Sequence, residues 1–238
     1  MKKAIIIGAS SGIGKELAKL LAENNYKVGI TGRRENLLLE IRNGHPDCYF
    51  IQSFDITNTS IIIRNLDELT SKLGGLDLLV ISSGTGDINP NLNFSVEDKT
   101  IQTNVTGFTL VADWAFNYFL SQKSGHLAAI TSVAGLRGND QAPAYNASKA
   151  WQINYLEGLR RKAHKSKFPI IVTDIRPGFV NTSMAKGDSI YWMASAEKVA
   201  KQIFLAVQKK AKIVYVTRRW GIIAAILKFL PRKLFDRM

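Results

Sequence analysis

The sequence predicts an α/β fold in which helices cover both faces of one doubly wound parallel sheet. Short runs of apolar and β-branched residues alternate along the chain with longer patterns of helical period. Most of the short runs lack the alternation of a half-exposed strand, which is expected when both faces of a sheet are covered. The chain has 238 residues, 46% of them hydrophobic, and this suits one α/β domain with a sizeable core.

Strands are predicted where apolar and β-branched residues cluster between turn residues, at Lys3–Ile7, Lys27–Thr31, Cys48–Ile51, Leu76–Ser82, Gly125–Thr131, Phe168–Ile175 and Lys212–Val216. Helices are predicted where apolar residues recur at helical spacing, at Ile13–Asn25, Arg34–Asn43, Thr59–Leu73, Ser95–Ser121, Pro143–Lys165 and Ala196–Lys209. This alternation implies parallel strands connected by right-handed crossovers. In such sheets, ligands bind at the carboxyl ends of the strands.

The net charge of +13 is concentrated at the carboxyl end. Residues 208–238 contain nine Lys and Arg residues and one acidic residue, so this segment carries +8 and the first 207 residues carry +5. A basic end indicates that this segment binds an anionic surface, and membrane headgroups are favoured over nucleic acid as that surface. No nucleic-acid partner is expected, because no recognition motif occurs. A merely solvated basic end is the alternative.

Cysteine usage and hydropathy indicate the compartment. Cys48 is the single cysteine, so no disulfide forms within the chain and a reducing, cytoplasmic setting is expected. The apolar run Ala4–Ile7 is short and stops at Gly8, which does not fit a signal peptide. No run reaches the roughly 18–20 apolar residues of a spanning helix. No metal site is predicted, and peripheral contact with the inner membrane face stays open.

A glycine-rich turn, Gly8-Ala9-Ser10-Ser11-Gly12-Ile13-Gly14, joins the first predicted strand to the first predicted helix. Glycines let backbone N–H groups approach a pyrophosphate, and the helix N-terminus adds a partial positive charge. We expect the turn to bind a dinucleotide through Gly8, Ser10, Ser11, Gly12, Ile13 and Gly14. The spacing GxxxGxG differs from the commoner GxGxxG. An ordinary tight turn is the alternative.

The second predicted strand ends in Arg33 and Arg34, without the acidic residue that usually accepts from the ribose hydroxyls. Two guanidinium groups suit a phosphate dianion, so NADP(H) is predicted over NAD(H). The alternative is a pair of solvated arginines at the start of the next helix. Asp55, after the third strand, could accept from an adenine amino group or could act as a turn or cap residue.

Tyr145 and Lys149 stand four residues apart, with Ser132 upstream. In a helix these two positions share one face. The ammonium favours the phenolate and is expected to lower the tyrosine pKa from about 10, which makes the phenol a general acid/base. The serine hydroxyl could donate to a carbonyl oxygen as it gains charge. Because YxxxK is common, a surface tyrosine beside a solvated lysine is the alternative.

Taken in order, these motifs resemble the short-chain dehydrogenase/reductase superfamily over roughly residues 1–217. The matching positions are Gly8, Gly12, Gly14, Asn104 in the helix after the fourth strand, Ser132, Tyr145, Lys149, Pro177, Gly178 and Thr182. The resemblance implies a single Rossmann-like domain with seven strands in the order 3-2-1-4-5-6-7. By this resemblance, the segment with Pro177, Gly178 and Thr182 would lie beside the nicotinamide. Residues 218–238 would form a basic extension.

One segment departs from the superfamily pattern. After the fourth strand the superfamily usually has Asn-Asn-Ala-Gly, and this chain has Ser82-Ser83-Gly84-Thr85. Gly84 keeps a close approach to the cofactor, whereas Ser82 replaces an amide with a shorter hydroxyl. Since that amide mainly braces the sheet, we expect an altered hydrogen-bond network and retained activity.

The resemblance implies hydride transfer between nicotinamide and a carbonyl carbon. Tyr145 would donate a proton to the developing alkoxide, and Ser132 would donate a hydrogen bond to the same oxygen. Lys149 would hold the nicotinamide ribose, and Asn104 would order a water that links this lysine to solvent. An NADP(H)-dependent carbonyl reductase or alcohol dehydrogenase is therefore expected. A catalytically silent NADP(H)-binding regulator is the alternative.

The substrate is expected to be a small carbonyl or alcohol, without a more specific prediction. Its pocket is predicted to be lined by Thr85–Asn93, Ala134–Gln141 including Arg137, and Asn181–Ser195 including Met184, Tyr191, Trp192 and Met193. The last segment could form an apolar lid or pack on the body or on another subunit. Arg137 could meet an anionic group or stay solvated. The superfamily commonly pairs through the helices at Ser95–Ser121 and Pro143–Lys165, so a homodimer or homotetramer is expected.

The tail is predicted to form a helix over Trp220–Leu230, which Pro231 ends. A helix of this length spans about 16 Å and is too short to cross a bilayer. Its wide apolar arc with basic flanks fits an interfacial helix in the membrane plane. It resembles the endings of short-chain reductases that act on lipid-linked carbonyls, which suggests a lipophilic substrate. The alternative is an arm that covers the pocket or a subunit interface.

Overall fold

The main sheet has seven strands in the spatial order β3-β2-β1-β4-β5-β6-β9, and all neighbours are parallel. The computed structural model describes residues 1–182 and 192–236. The strands of this sheet are β1 (Lys2–Ile7), β2 (Tyr26–Gly32), β3 (Tyr49–Ser53), β4 (Leu78–Ile81), β5 (Gly125–Ile130), β6 (Ile170–Pro177) and β9 (Ile213–Val216). The short strands β7 (Val180–Asn181) and β8 (Ala194–Ser195) pair separately. The predicted fold class and strand order are confirmed.

Helices pack on both faces of this sheet, close to the predicted bounds. They are α1 (Gly12–Glu23), α2 (Glu35–Gly44), α3 (Thr59–Leu73), α4 (Phe94–Ile101), α5 (Phe108–Ser121), α6 (Pro143–Ser166), α7 (Ala196–Gln208), α8 (Arg218–Phe229) and α9 (Arg232–Phe235). A 3₁₀ turn, Val133–Leu136, follows β5.

The helix predicted over Ser95–Ser121 is not a continuous α-helix. A π-helical turn, Gln102–Gly107, separates α4 from α5. The chain packs closely here, because a Cβ atom at Gly107 would lie 2.3 Å from the Ile56 main-chain oxygen. Asn104 lies inside this turn and is fully buried. Single π-turns within helices occur often at functional sites, and this one carries a predicted catalytic residue.

Two apolar cores lie on opposite faces of the sheet, because successive strand residues point to opposite sides. On one face, Ile5 packs with Leu66 of α3 and Phe119 of α5. On the other face, Ile6 packs with Ile203 of α7. The carboxyl ends of β1, β4, β5 and β6 are therefore held rigidly between two helical layers, and the predicted site residues follow these ends.

The tail forms α8 and α9, which pack beside the carboxyl end of β6. The indole of Trp220 lies against Gly178, where a Cβ atom would be 1.9 Å from the ring, and contacts Phe179 edge-on. Arg137 donates from Nε to the Leu227 carbonyl at 2.8 Å and from Nη2 to the Leu230 carbonyl at 2.5 Å.

These contacts give Arg137 partners that the sequence did not predict. Its guanidinium is half-buried, and carbonyl groups at the end of α8 accept hydrogen bonds from its Nε and Nη2. Through its inner face, the tail thus packs as an arm on the body of the protein. No helix in residues 1–182 or 192–236 is long and apolar enough to cross a membrane.

Candidate active site

Ser132 and Tyr145 meet at the carboxyl end of β5. Ser132 precedes the 3₁₀ turn, and its Oγ accepts a hydrogen bond from Ala134 N at 3.1 Å. The Ser132 side chain also acts on the Tyr145 phenol, whose pKa it lowers. Lys149 follows one turn later on α6, with Nζ 5.8 Å from the centroid of the Tyr145 ring. The structure therefore brings the three predicted residues together.

Lys149 is enclosed by protein. Its side chain is buried, and Nζ donates to the Ile130 carbonyl at 3.2 Å and to Gln152 Oε1 at 3.0 Å. A Cβ atom at Gly84 would lie 3.5 Å from Nζ, so the ammonium also borders the turn after β4. These contacts join the ends of β4 and β5 to one cation on α6.

The pKa of Tyr145 moves opposite to the prediction. Burial around its hydroxyl raises the pKa above 10.0, and the nearby Ser132 side chain opposes that rise. Burial also lowers the pKa of Lys149 from 10.5 to about 8, with the Asp174 carboxylate acting against it. The predicted net lowering of the tyrosine pKa is therefore wrong for this state. Desolvation disfavours both the phenolate of Tyr145 and the ammonium of Lys149. The spacing of the two residues along the helix does not reveal how deeply they are buried.

Asn104 connects the π-helical turn to the other site elements. Its side-chain amide donates to the Thr85 carbonyl at 2.7 Å and to Ser148 Oγ at 3.0 Å, and it accepts from Thr85 N at 2.9 Å. Its main-chain carbonyl accepts from Gln152 Nε2 at 2.9 Å. Sequence reasoning did not find Gln152. A polar residue three positions after Lys149, on the buried side of the helix, was the available signal.

The glycine-rich turn brings the main chain close to the segment after β4. Gly8 has a φ of +87°, and a Cβ atom there would lie 2.7 Å from Ser83 N. The first turn of α1 begins at Gly12, and the side chain of the preceding Ser11 does not cap it. The main-chain N–H groups of this first turn can therefore donate to an anion. Ser83 Oγ is buried without a hydrogen-bond partner among the residues that the structure describes. A polar ligand fits this turn.

The two arginines after β2 differ in their contacts. Arg34 Nη2 donates to Ser10 Oγ at 2.9 Å and to Ser11 Oγ at 2.8 Å, which places a guanidinium beside the turn. Arg33 lies 3.6 Å from the Asp55 carboxylate, which also accepts from Thr57 N at 2.9 Å. The hydrogen bond from Thr57 N supports the interpretation of Asp55 as a turn or cap residue. Because Asp55 compensates the Arg33 charge, Arg34 is the stronger candidate for a phosphate.

The segment after β6 reaches the glycine-rich turn. A Cβ atom at Gly12 would lie 3.2 Å from Thr182 Cγ2. Thr182 thus contacts the glycine-rich turn at Gly12, and Ser132 Oγ lies 3.5 Å from the Pro177 carbonyl. Pro177, Gly178 and Thr182 therefore lie between the turn and the catalytic set.

One of the predicted pocket walls borders Tyr145, and a second wall is hydrogen-bonded to the first. A Cβ atom at Gly86 would lie 2.3 Å from the Tyr145 ring. Asn89 N donates to the Gln141 carbonyl at 2.7 Å, which joins the loop after β4 to the loop before α6. In the third predicted wall, Trp192 and Met193 are exposed. The predicted lid residues Met184 and Tyr191 lie outside the described residues.

A family model for short chain dehydrogenases matches residues 2–190. The chain belongs to the short-chain dehydrogenase family. This dehydrogenase is 31% identical over 186 residues to an uncharacterized oxidoreductase of Staphylococcus aureus, which covers 77% of this chain and 80% of the relative. It is 29% identical over 243 residues to an uncharacterized oxidoreductase of Myxococcus xanthus, which covers 99% of this chain and 95% of the relative. The dehydrogenase is an oxidoreductase of this family.

Solved structures share its fold. A closed form of serine dehydrogenase complexed with NADP+ has a TM-score of 0.82 and 22% identity, and the match covers 90% of this chain and 94% of that chain. ElxO with NADP bound has a TM-score of 0.80 and 21% identity, with coverage of 90% and 96%. At this identity the likeness shows the fold of the dehydrogenase, and the bound NADP belongs to those two proteins.

Proposed function

We propose that the protein interconverts a carbonyl and a secondary alcohol with NADP(H), using Tyr145 as general acid/base. The observation that carries this proposal is the convergence of buried Ser132, Tyr145 and buried Lys149 at the end of β5, with the Lys149 Nζ 5.8 Å from the centroid of the Tyr145 ring. A phenol, a hydroxyl and an ammonium at the ends of parallel strands can protonate and stabilise a developing alkoxide. The test is NADPH oxidation with a panel of ketones and aldehydes, by the wild type and by Tyr145→Phe.

Each residue has a role that its position allows. When bound, the dinucleotide supplies or accepts the hydride. Tyr145 gives its proton to the substrate oxygen, while the Ser132 hydroxyl donates a hydrogen bond to that oxygen. Lys149 holds the ribose hydroxyls and, as a cation, favours the phenolate against the effect of burial. Asn104 joins the set through its main-chain carbonyl, which Gln152 links to Lys149.

A catalytically silent NADP(H)-binding regulator is the second candidate. It would need the glycine-rich turn and the arginines but not Ser132, Tyr145 and Lys149 brought together at the end of β5. The assembled set therefore favours the enzyme. Cofactor binding without turnover of any carbonyl in the panel would favour the regulator instead.

NADP(H) preference is proposed on the position of Arg34. We expect Arg34→Ala to raise the Kd of NADPH by about 10- to 100-fold, because hydrogen bonds to a charged group contribute roughly 1.5–3 kcal/mol. The Kd of NADH should change little. Arg42→Ala, an exposed arginine in the last turn of α2, is the matched control. Equal or tighter binding of NADH than NADPH by the wild type would contradict the preference.

The outer face of the tail is proposed to contact an anionic membrane. Ile222, Ile226 and Phe229 point outward from α8 with exposed fractions of 67%, 58% and 87%. Exposed basic residues flank this row, namely Arg219, Lys228, Arg232 and Lys233. An apolar row between cations fits the interface of a bilayer with anionic lipids. Trp220 packs α8 against Gly178, which brings this helix next to the proposed substrate pocket, and the substrate is therefore proposed to be lipophilic.

Vesicle co-sedimentation tests the membrane contact. We expect full-length protein to sediment with anionic vesicles, and the triple variant Ile222→Ser, Ile226→Ser, Phe229→Ser to bind at least about tenfold more weakly, because burying such side chains contributes roughly 1.5–3 kcal/mol each. Leu205→Ser, an exposed leucine on α7, is the matched control. Equal sedimentation of the triple variant and the wild type would refute the contact.

The protein is proposed to work as a homodimer or homotetramer in the cytoplasm, peripheral to the inner membrane face. Trp151 on α6 is exposed and stacks on Tyr155, and Trp114 on α5 stacks on Tyr118. Exposed aromatic surface on two adjacent helices suits a subunit contact. In this proposal residues 1–217 form the catalytic domain, and 218–238 form the extension that faces the membrane.

A further inference from the structure

Gln152 is a fully buried polar side chain. Its amide oxygen and its amide nitrogen each form a hydrogen bond with a residue of the proposed catalytic set. Its exposed fraction is 0%. Oε1 accepts from Lys149 Nζ at 3.0 Å, and Nε2 donates to the Asn104 main-chain carbonyl at 2.9 Å. Since buried polar groups are normally paired, an amide that bridges a cation and a carbonyl holds both in place.

The bridge determines where the Lys149 ammonium points. An ammonium has three N–H donors. Two are directed by the Ile130 carbonyl at 3.2 Å and by Gln152 Oε1 at 3.0 Å. Within the described residues, this leaves the third donor for the side of the site that borders Gly84. That is the direction from which a cofactor ribose would approach in the proposed function.

We propose that Gln152 is a positioning residue that links Lys149 to the Asn104 carbonyl and sustains the charge of the buried ammonium. This inference rests on the proposed function for its catalytic meaning. The link between Gln152 and Lys149 can be tested without any substrate.

Few other charges act on Lys149. Tyr145 lies on the same helix, and Asp174 faces Lys149 from β6, where its carboxylate is paired with Arg176. Asp174 raises the pKa of Lys149, whereas burial lowers it more strongly. A neutral acceptor at Gln152 adds to the stabilisation of the ammonium, because a hydrogen bond to the charged form favours that form.

The test is an NMR titration of isotope-labelled lysine in the cofactor-free full-length protein. Gln152→Met keeps the size but removes the acceptor, and it should lower the pKa of Lys149. Gln152→Glu adds a carboxylate and should raise that pKa by about one to three units. Leu156→Ala, a buried residue one turn further along α6, lowers stability without touching Lys149 and should leave its pKa unchanged.

The outcomes separate this inference from the proposed function. The positioning role is supported if the pKa of Lys149 falls in Gln152→Met and rises in Gln152→Glu. It is overturned if Lys149 titrates at the same pH in both variants and in the wild type. If Gln152→Met does not fold, the near-isosteric Gln152→Glu alone decides by the presence or absence of its upward shift. Failure of the proposed function would instead appear as unchanged turnover in Tyr145→Phe, with the lysine titration unaffected.

Discussion

Replacing Tyr145 by phenylalanine is expected to lower kcat by about two to four orders of magnitude, because a positioned proton donor contributes that much to proton transfer. The Tyr145 hydroxyl meets the Ser132 hydroxyl, and no other phenol shares that position among the described residues. The variant keeps the ring that packs against Gly86. Cofactor binding should therefore survive. The measurements are steady-state NADPH oxidation and the Kd of NADPH.

A second tyrosine provides the control. Tyr49 lies at the start of β3, and its hydroxyl is buried without a hydrogen-bond partner among the described residues. Tyr49→Phe makes the same chemical change away from the site and should leave kcat unchanged. Near-normal turnover in Tyr145→Phe, or an equal loss in Tyr49→Phe, would refute the assignment of Tyr145 as the acid.

Replacing Asp174 by alanine is expected to lower the free energy of unfolding by about 3–5 kcal/mol, because it leaves a buried guanidinium without its carboxylate. Arg176 donates to Asp174 Oδ2 from Nε at 2.8 Å and from Nη2 at 2.6 Å, and both side chains are buried. Asp174 Oδ1 also accepts from Thr131 Oγ1 at 2.6 Å. Denaturant unfolding of the purified protein measures the loss.

Two further variants show whether the cost comes from the unpaired charge. The double variant Asp174→Ala, Arg176→Met should be more stable than Asp174→Ala alone, because no guanidinium is then left buried without its carboxylate. Glu68→Ala breaks the exposed ion pair with Arg64 and should cost no more than about 1 kcal/mol. If the double variant is less stable than Asp174→Ala, the unpaired guanidinium is not the cause.

The predictions from sequence succeeded where local pattern determines structure. The strand order follows from alternating strand and helix patterns, since parallel strands need crossovers of one hand. Ser132, Tyr145 and Lys149 were placed together correctly because two of them share one helical face. The bounds of Thr59–Leu73 were predicted to the residue, with Gly74 ending the helix in a left-handed conformation.

The predictions failed where long-range packing decides. Arg137 binds carbonyl groups of Leu227 and Leu230, about ninety residues away in the chain, and neither segment alone predicts that contact. The π-helical turn at Gln102–Gly107 depends on the close approach of Gly107 to Ile56. The direction of the Tyr145 pKa shift depends on burial, which the spacing of Tyr145 and Lys149 does not encode.

The sequence by itself determined the order of the strands, the glycine-rich turn and the chemical groups of the site, because backbone periodicity and residue spacing are local properties. Only the tertiary structure decided how those groups are partnered. It buried Lys149, linked it through Gln152 to Asn104, and packed the tail onto Arg137. Burial and hydrogen-bond partners arise between segments distant in the chain, so the folded arrangement sets the pKa values and the shape of the site.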